Sequence, residues 1–152
     1  MWSAAESFFA RLAEFGPHIA LAEGERTLTY AELLGAVAAR GRHLRALGVH
    51  RVALALDNGI DWVLWDLAAL HAGLVCVPLP SFFSAEQQRH VLDSAGVDSL
   101  IAADASVFAA LGFGAAAAQI AQRSLPVVAE LPAGTVKITY TSGTTGQPKG
   151  VC

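Results

Sequence analysis

Apolar residues follow two different spacings along this chain, and the change between them predicts alternating helices and strands. Phe8, Leu12 and Phe15 recur at the spacing of one helix face, whereas residues 51–56 form an unbroken apolar run. An apolar run without alternation is typical of a strand that is buried on both faces of a sheet. The pattern therefore predicts an α/β fold in which a mostly parallel sheet is flanked by helices.

The helix starts are marked by three capping boxes. In each, a Ser or Thr is followed three residues later by Glu or Gln, so that the two side chains satisfy backbone amides of the first turn. Glycines mark where the helices end. The first predicted helix runs from Ser3 to Gly16-Pro17, and the second runs from Thr29 to Gly48. The third covers residues 60–72, the fourth runs from Ser84 to Ala95, and a short helix starts at Ser106.

The strands are predicted from short apolar and β-branched runs. Residues 19–22 and 27–29 enclose Glu23-Gly24-Glu25-Arg26 and predict a short N-terminal hairpin. The Ala/Gly-rich segment 112–121 stays open, because alanine favours a helix and Gly112 and Gly114 oppose one. The remaining predicted strands are residues 51–56, 74–78, 99–102, 127–128 and 136–140.

Parallel strands place their carboxyl ends at one edge of the sheet, where ligands bind in this class of fold. Residues 57–59, 78–84 and 141–150 all follow predicted strands. We therefore expect the three segments to share the functional edge.

The last of these segments has the chemistry of a phosphate-binding loop. It reads Thr141-Ser142-Gly143-Thr144-Thr145-Gly146-Gln147-Pro148-Lys149-Gly150. Glycines let a backbone turn its N–H groups inward, a concave nest of amides suits phosphate oxygens, and a lysine adds a mobile positive charge. Two residues between the glycines, and a glycine after the lysine, exclude the Walker loop, and the dinucleotide fingerprint is also absent.

The run Tyr140–Val151 resembles the phosphate-binding motif of the adenylate-forming, or AMP-binding, enzymes. This superfamily includes acyl-CoA synthetases and the adenylation domains of peptide synthetases. Shorter similarities at residues 18–33, 47–59 and 72–79 extend the resemblance over most of the chain. The resemblance implies that residues 1–152 are the first subdomain of the large N-terminal domain of such an enzyme.

The resemblance also implies an ATP-dependent acid–thiol ligase. Such an enzyme converts a carboxylate into an acyl-adenylate with release of pyrophosphate, and then transfers the acyl group to the thiol of coenzyme A or of carrier-protein pantetheine. Lys149 would pair with the outer phosphates, with Mg²⁺ assisting. Carried over by position, the ATP-binding residues are Thr141, Ser142, Gly143, Thr144, Thr145, Gly146, Lys149 and Gly150.

No catalytic or metal-binding residue is predicted within these 152 residues. In the family, the adenine, ribose and acid contacts, the magnesium-binding glutamate and the catalytic lysine of the small C-terminal domain all follow the motif. We therefore expect an inactive fragment of a longer ligase. Two alternatives remain: a stand-alone phosphate- or nucleotide-binding module, and a structural subunit whose alanine-rich apolar surface pairs with a partner or with itself.

Composition excludes some other classes of protein. The net charge is −3 and no basic stripe occurs, so the electrostatic footprint of a nucleic-acid binder is missing. No apolar stretch reaches the length of a membrane span. The two cysteines are far apart, and no basic N-terminal leader precedes an apolar run, which together indicate a reducing, cytoplasmic setting. With 54% apolar residues and a mean hydropathy of +0.47, the chain can form a substantial core and an apolar contact surface.

Other chemically suggestive residues are assigned structural roles. None of the histidines has a His-x-x-x-His spacing, and Ser142 has no nearby His–Asp arrangement that would make it a nucleophile. Trp62 and Trp65 lie one helical turn apart and are interpreted as core or interface packing. The remaining residues interpreted in this way are His18, His43, His50, His71 and His90, Asp57 and Asp61, the helix face with Arg40, Arg42 and Arg45, and the buried Cys76.

Overall fold

A computed structural model describes residues 3–125, 127–144 and 146–152. No helix among these residues is long and apolar enough to cross a membrane. The elements in chain order are α1 (Ala4–Ala13), β1 (Ile19–Glu23), β2 (Arg26–Thr29), α2 (Tyr30–Ala46), β3 (Arg51–Ala55), α3 (Ile60–Ala72), β4 (Val75–Pro78), α4 (Ala85–Ser94), β5 (Ser99–Ala102), a 3-10 helix (Ala105–Leu111), β6 (Gly114–Ala117), β7 (Ile120–Gln122), β8 (Thr139–Thr141) and β9 (Lys149–Val151).

The three predicted capping boxes all form, at the starts of α1, α2 and α4. In α1 the Ser3 side chain accepts from the backbone N–H of Glu6, and the Glu6 carboxylate accepts from the backbone N–H of Ser3. The backbone hydrogen bond from Ser3 holds the pKa of Glu6 below its usual value, and Thr29 has the same effect on Glu32. These local contacts fix the helix starts where the sequence predicts them.

The main sheet has five strands in the order β4-β3-β5-β7-β6. Strand β3 pairs parallel with β4 and β5, and the predicted N-terminal hairpin forms from β1 and β2. The ambiguous Ala/Gly-rich segment provides an antiparallel hairpin, β6–β7, which pairs with β5 and makes the sheet mixed. Ile120 and Ala121 are buried there, and this burial overrides the helix propensity of the alanines.

Both faces of the sheet are covered, as the unbroken apolar run predicts. On β3, Val52 and Leu54 pack with residues of α2 and α3. The intervening Ala53 lies in the other core cluster, with residues of α4 and the 3-10 helix. The predicted α/β fold with flanking helices is therefore confirmed.

Two strand predictions need correction. Val127 and Val128 form no strand and are 80% and 54% exposed. β-Branched residues favour a strand only where a partner strand and a buried face exist, and this pair has neither. The predicted strand 136–140 is shifted: Lys137 forms an isolated bridge, and β8 begins two residues later.

The arginines of α2 differ in their contacts. The Arg40 guanidinium lies 5.2 Å from the ring centroid of the buried Trp65. Arg45 donates to the carbonyl oxygens of His71 and Ala72 at the end of α3, whereas Arg42 is exposed. Two of the three arginines thus join α2 to α3, in addition to lying on the polar side of the helix.

Helices α2 and α3 approach closely at Gly41. A Cβ atom at this position would lie 3.2 Å from Nδ1 of His71 and 3.3 Å from the carbonyl oxygen of Ala68. Gly35 lies in the same helix but is exposed, and a Cβ atom there would meet nothing within 4 Å. The two glycines therefore differ in packing while sharing a helical backbone.

This difference predicts opposite effects of alanine in α2. Gly35→Ala should raise the free energy of unfolding by about 1 kcal/mol, because alanine loses less backbone entropy in a helix. Gly41→Ala should lower it by about 1 kcal/mol or more, because the Ala68 carbonyl cannot move independently of α3. Urea denaturation of both variants measures the difference, and equal stabilisation would contradict the close approach of the helices.

Candidate phosphate-binding site

The predicted phosphate loop joins the two strands of a terminal hairpin. Strand β8 pairs antiparallel with β9, so that Thr141 faces Lys149 and Tyr140 faces Gly150. Directly opposed residues of such a pair have Cα atoms about 4.5–5.5 Å apart. A hydroxyl-bearing residue and the lysine are therefore brought together at the base of the loop formed by residues 142–148.

The hairpin lies beside the edge strand β4. The backbone N–H of Cys76 donates to the carbonyl oxygen of Val136 over 3.0 Å, and the N–H of Ile138 donates to the carbonyl of Cys76 over 2.9 Å. The resulting bridge between Cys76 and Lys137 is parallel. The loop after β8 therefore lies at the end of the sheet where β3 and β4 have their carboxyl ends, as predicted.

Most of the predicted ATP-binding residues are open to solvent. Gly143 is half-buried, and Thr145 lies outside the described residues. Gly146 adopts a left-handed φ of 82°, which favours glycine, and its N–H donates to the carbonyl of Gly143 over 3.4 Å. The exposed members of the set are Thr141, Ser142, Thr144, Gly146, Lys149 and Gly150.

An ion pair anchors the segment that leads into β8. The Lys137 ammonium lies 2.7 and 2.8 Å from the two carboxylate oxygens of Asp66 on α3, and 5.6 Å from the ring centroid of Trp62. Beside this pair, burial and the neighbouring Asp66 raise the pKa of the Cys76 thiol. Cys76 is therefore a neutral, buried thiol, and Lys137 has a structural partner. Among the described residues, no salt bridge involves the exposed Lys149.

Helix α4 contacts the hairpin from the other side. The imidazole Nε2 of His90 lies 3.0 Å from the carbonyl oxygen of Pro148, and Nε2 of Gln87 lies 3.3 Å from the carbonyl oxygen of Gly146. Ser94 Oγ lies 2.7 Å from the Tyr140 hydroxyl. A cavity of about 430 Å³ lies between helix and hairpin, and it is lined in part by His90, Ser94, Tyr140 and Lys149.

The other two segments at this edge meet around a separate cavity of about 320 Å³. It is lined by residues from 56–58 and 78–82 together with Trp62, and by no residue of the hairpin. Asp61 and Asp66 of α3 take part in separate ion pairs, because Asp61 lies near Arg26 and Arg40 while Asp66 pairs with Lys137. Within the described ranges, no group of three His, Cys, Asp or Glu side chains could hold a metal ion.

The hairpin therefore suits an anion. Exposed hydroxyls, glycine amides and the Lys149 ammonium are all donors, and residues 138–152 contain no Asp or Glu. Such donors match phosphate oxygens. From the sequence, Gln87 has only a helix-capping role and His90 is one of the ordinary structural histidines, so neither is predicted to contact the loop. The available signal was the spacing of Gln87, His90 and Ser94, which puts all three on one side of a helix.

Residues 8–152 match the model of the AMP-binding enzyme family. The chain is 32% identical to a 4-hydroxybenzoate–CoA/benzoate–CoA ligase of Rhodopseudomonas palustris, over 90% of this chain and 30% of that protein. It is 33% identical to the phosphinothricin tripeptide synthetase PhsC of Streptomyces viridochromogenes, over 88% of this chain and 14% of that one. The chain thus spans less than a third of either relative.

Solved structures show the same fold. The N-terminal subdomain of NpsA from Klebsiella oxytoca, in complex with 3-hydroxybenzoyl-AMSN, superimposes with a TM-score of 0.73 at 25% identity, over 99% of this chain and 40% of that chain. The O-succinylbenzoate coenzyme A synthetase MenE from Bacillus subtilis, in complex with AMP, gives a TM-score of 0.72 at 23% identity, over 95% of this chain and 41% of that one.

Gly150 is required by packing within the hairpin. A Cβ atom at this position would lie 2.9 Å from Cζ of Tyr140 and 3.0 Å from Cγ2 of Ile138. Both side chains are buried, so neither can swing into solvent without exposing apolar surface. Gly114, in β6, offers a matched comparison, since a Cβ atom there would meet nothing within 4 Å.

We expect Gly150→Ala to displace the Tyr140 ring and to lower the free energy of unfolding by about 1–3 kcal/mol, as overpacking does. Gly114→Ala should be neutral or slightly stabilising, because alanine costs less entropy than glycine in a strand. Urea denaturation gives the energies, and the NMR shifts of the Tyr140 ring report its displacement. An unmoved ring in Gly150→Ala would contradict the packing argument.

Proposed function

We propose a function from one premise: this chain belongs to the AMP-binding enzyme family. Residues 1–152 are proposed to be the first subdomain of the large N-terminal domain of an adenylate-forming ligase. The α/β fold, with the motif hairpin at the carboxyl edge of its sheet, supports this assignment. The single observation that carries it is the exposed Thr/Ser/Gly/Lys hairpin, which presents hydroxyl, amide and ammonium donors to an anion.

The proposed reaction of the whole ligase has two steps. A carboxylate oxygen attacks the α-phosphorus of ATP, which gives an acyl-adenylate and releases pyrophosphate. A thiol then attacks the acyl carbon, and AMP leaves. The acceptor thiol belongs to coenzyme A or to a carrier-protein pantetheine. The relatives of this chain include a CoA ligase and a peptide synthetase, and we therefore propose both acceptors.

The hairpin would act in the first of these steps. Negative charge accumulates on the leaving pyrophosphate, and donors held in place before the reaction stabilise that charge without reorganising. The hydroxyls of Thr141, Ser142 and Thr144 would donate to phosphate oxygens, and Lys149 would place its charge at the outer phosphates. Thr145 also belongs to the motif, and its role in ATP binding stays a sequence-based prediction.

Magnesium would arrive with the nucleotide. Phosphate oxygens of ATP are natural ligands for Mg²⁺. Within the described residues, no group of three His, Cys, Asp or Glu side chains could hold a metal ion. When bound, Mg²⁺ neutralises phosphate charge. We further propose that the ligase works in the cytoplasm, which the spacing of Cys76 and Cys152 supports.

Exposed apolar side chains support a contact with further protein. Phe82 and Val127 are 79% and 80% exposed, and Val107 is 68% exposed. Apolar side chains at such positions favour burial against a partner surface. We propose that these side chains pack against the rest of the ligase or against a second copy.

The proposal predicts weak, lysine-dependent ATP binding by the 152-residue chain. ATP should shift the amide NMR signals of residues 143–150 with a millimolar dissociation constant, because the loop supplies only some of the ligand contacts. Lys149→Ala should weaken binding about tenfold or more, the cost of losing a charge-assisted contact. Micromolar affinity would instead indicate a stand-alone nucleotide-binding module.

Arg42→Ala is the matched control, since it removes one positive charge from an exposed site on α2. We expect it to change ATP affinity less than twofold. An equal loss in both variants would show that ATP responds only to net charge, and the proposed site would then be wrong.

We expect the same chain to be catalytically inactive by itself. With ATP, Mg²⁺ and a panel of carboxylic acids, a pyrophosphate assay should give no signal above that of Lys149→Ala. Turnover by the wild-type chain that Lys149→Ala abolishes would refute the assignment of these residues to one part of a larger catalytic unit.

A further inference from the structure

We propose that Gln87 and His90 of α4 are positioning residues that hold the phosphate loop in its binding conformation before a nucleotide arrives. The inference rests on the proposed function and adds to it a structural element outside the motif. Its basis is the pair of side-chain contacts that α4 makes with backbone carbonyls of the loop.

The hydrogen-bond roles at Gln87 follow from its capping box. The Oε1 atom accepts from the backbone N–H of Ser84 over 2.9 Å, which leaves the Nε2 amide group to donate to the Gly146 carbonyl. The capping boxes of α1 and α2 use Glu6 and Glu32 at the same place. A glutamate would cap α4 equally well, but it could not donate to the loop.

The roles at His90 are fixed in the same way. The Pro148 carbonyl can only accept, so Nε2 of His90 carries a proton. One turn further along α4, Ser94 Oγ donates to the His90 carbonyl over 2.6 Å and therefore accepts from the Tyr140 hydroxyl. The His90 and Tyr140 rings also meet edge to face, with centroids 6.4 Å apart. One side of α4 thus contacts both the loop and the strand that precedes it.

These contacts determine where the loop amides point. In a trans peptide the C=O and N–H groups point in opposite directions, and the described residues contain no cis peptide bond. With the carbonyls of Gly146 and Pro148 turned toward α4, the N–H groups of Gln147 and Lys149 point away from it. Because these amides are already held in place, the loop loses less conformational entropy when a phosphate binds.

The contacts also need no charged group. Gln87 contributes an amide and Tyr140–Ser94 a pair of hydroxyls, and a neutral His90 suffices for the bond to Pro148. A carboxylate in place of the Gln87 amide would repel the carbonyl of Gly146 and would bring a negative charge beside the loop. The contact with the loop therefore explains why the third capping box contains glutamine and not glutamate, which helix capping alone does not explain.

The test compares Gln87→Glu with Gln88→Glu in the 152-residue chain. Both make the same chemical change on α4, but the Gln88 side chain lines a different cavity, between α4 and the 3-10 helix. We expect Gln87→Glu to change the Gly146 carbonyl ¹³C shift, to increase fast motion at Gln147 and to weaken ATP binding about tenfold. Gln88→Glu should leave all three close to wild type.

A second pair of variants tests His90. His90→Leu should change the Pro148 carbonyl shift and weaken ATP binding about three- to tenfold, the usual range for one neutral hydrogen bond. His90→Gln can still donate and should recover most of the affinity. In the wild type, the imidazole ¹⁵N shifts should show a proton on Nε2.

The outcomes separate the inference from the proposed function. Wild-type carbonyl shifts and loop motion in both Gln87→Glu and His90→Leu would overturn the positioning role, even if Lys149-dependent ATP binding is intact. Altered loop signals with no ATP binding by the wild type would support the contacts with α4 but refute the proposed function. Urea denaturation of each variant shows whether it is folded. If His90→Leu does not fold, His90→Gln still tests the role of His90.

Discussion

The functional edge of this protein depends on how a very short hairpin is held against a stable sheet. Strands β8 and β9 have three residues each, and an isolated two-stranded hairpin is at best marginally stable in water. A single backbone bridge joins it to β4 through Cys76 and Lys137. Its position therefore depends on side chains: the buried Ile138 and Tyr140, the Lys137–Asp66 ion pair on the α3 side, and the contacts of Gln87, His90 and Ser94 on the α4 side.

The motif consequently combines two kinds of residue that look alike in sequence. Gly146 has a left-handed backbone, which favours glycine in the loop itself. Glycine is required at position 150 for another reason, because the Tyr140 ring occupies the space that a Cβ atom would need. Tyr140 in turn reaches Ser94 on α4. The glycine after the lysine thus belongs to the packing of the hairpin, whereas the exposed hydroxyls and Lys149 face solvent and are available to a ligand.

What could be predicted from the sequence was local. The capping boxes at Ser3, Thr29 and Ser84 involve residues three positions apart, and all three formed. The β6–β7 hairpin could not be predicted from alanines and glycines, because burial against β5 decides it. The motif located the phosphate loop, but its contacts with α4 join residues 46 to 59 positions apart. A single sequence contains no signal for such pairs beyond the common helix side of the α4 residues.

The distribution of charge explains why these supports leave the loop able to bind an anion. Lys149 is the only Lys, Arg, Asp or Glu among residues 138–152. The charged anchor, Lys137 with Asp66, lies before β8 and carries no net charge. The contacts from α4 need no charged group. The contacts from α4 therefore add no carboxylate to the hairpin, and among the described residues no salt bridge involves Lys149, so its charge is available to an anion. In the part of the chain that the structure describes, the loop is thus held in place without a salt bridge to Lys149, because the contacts from α4 need no charged group and the Lys137–Asp66 pair lies before β8.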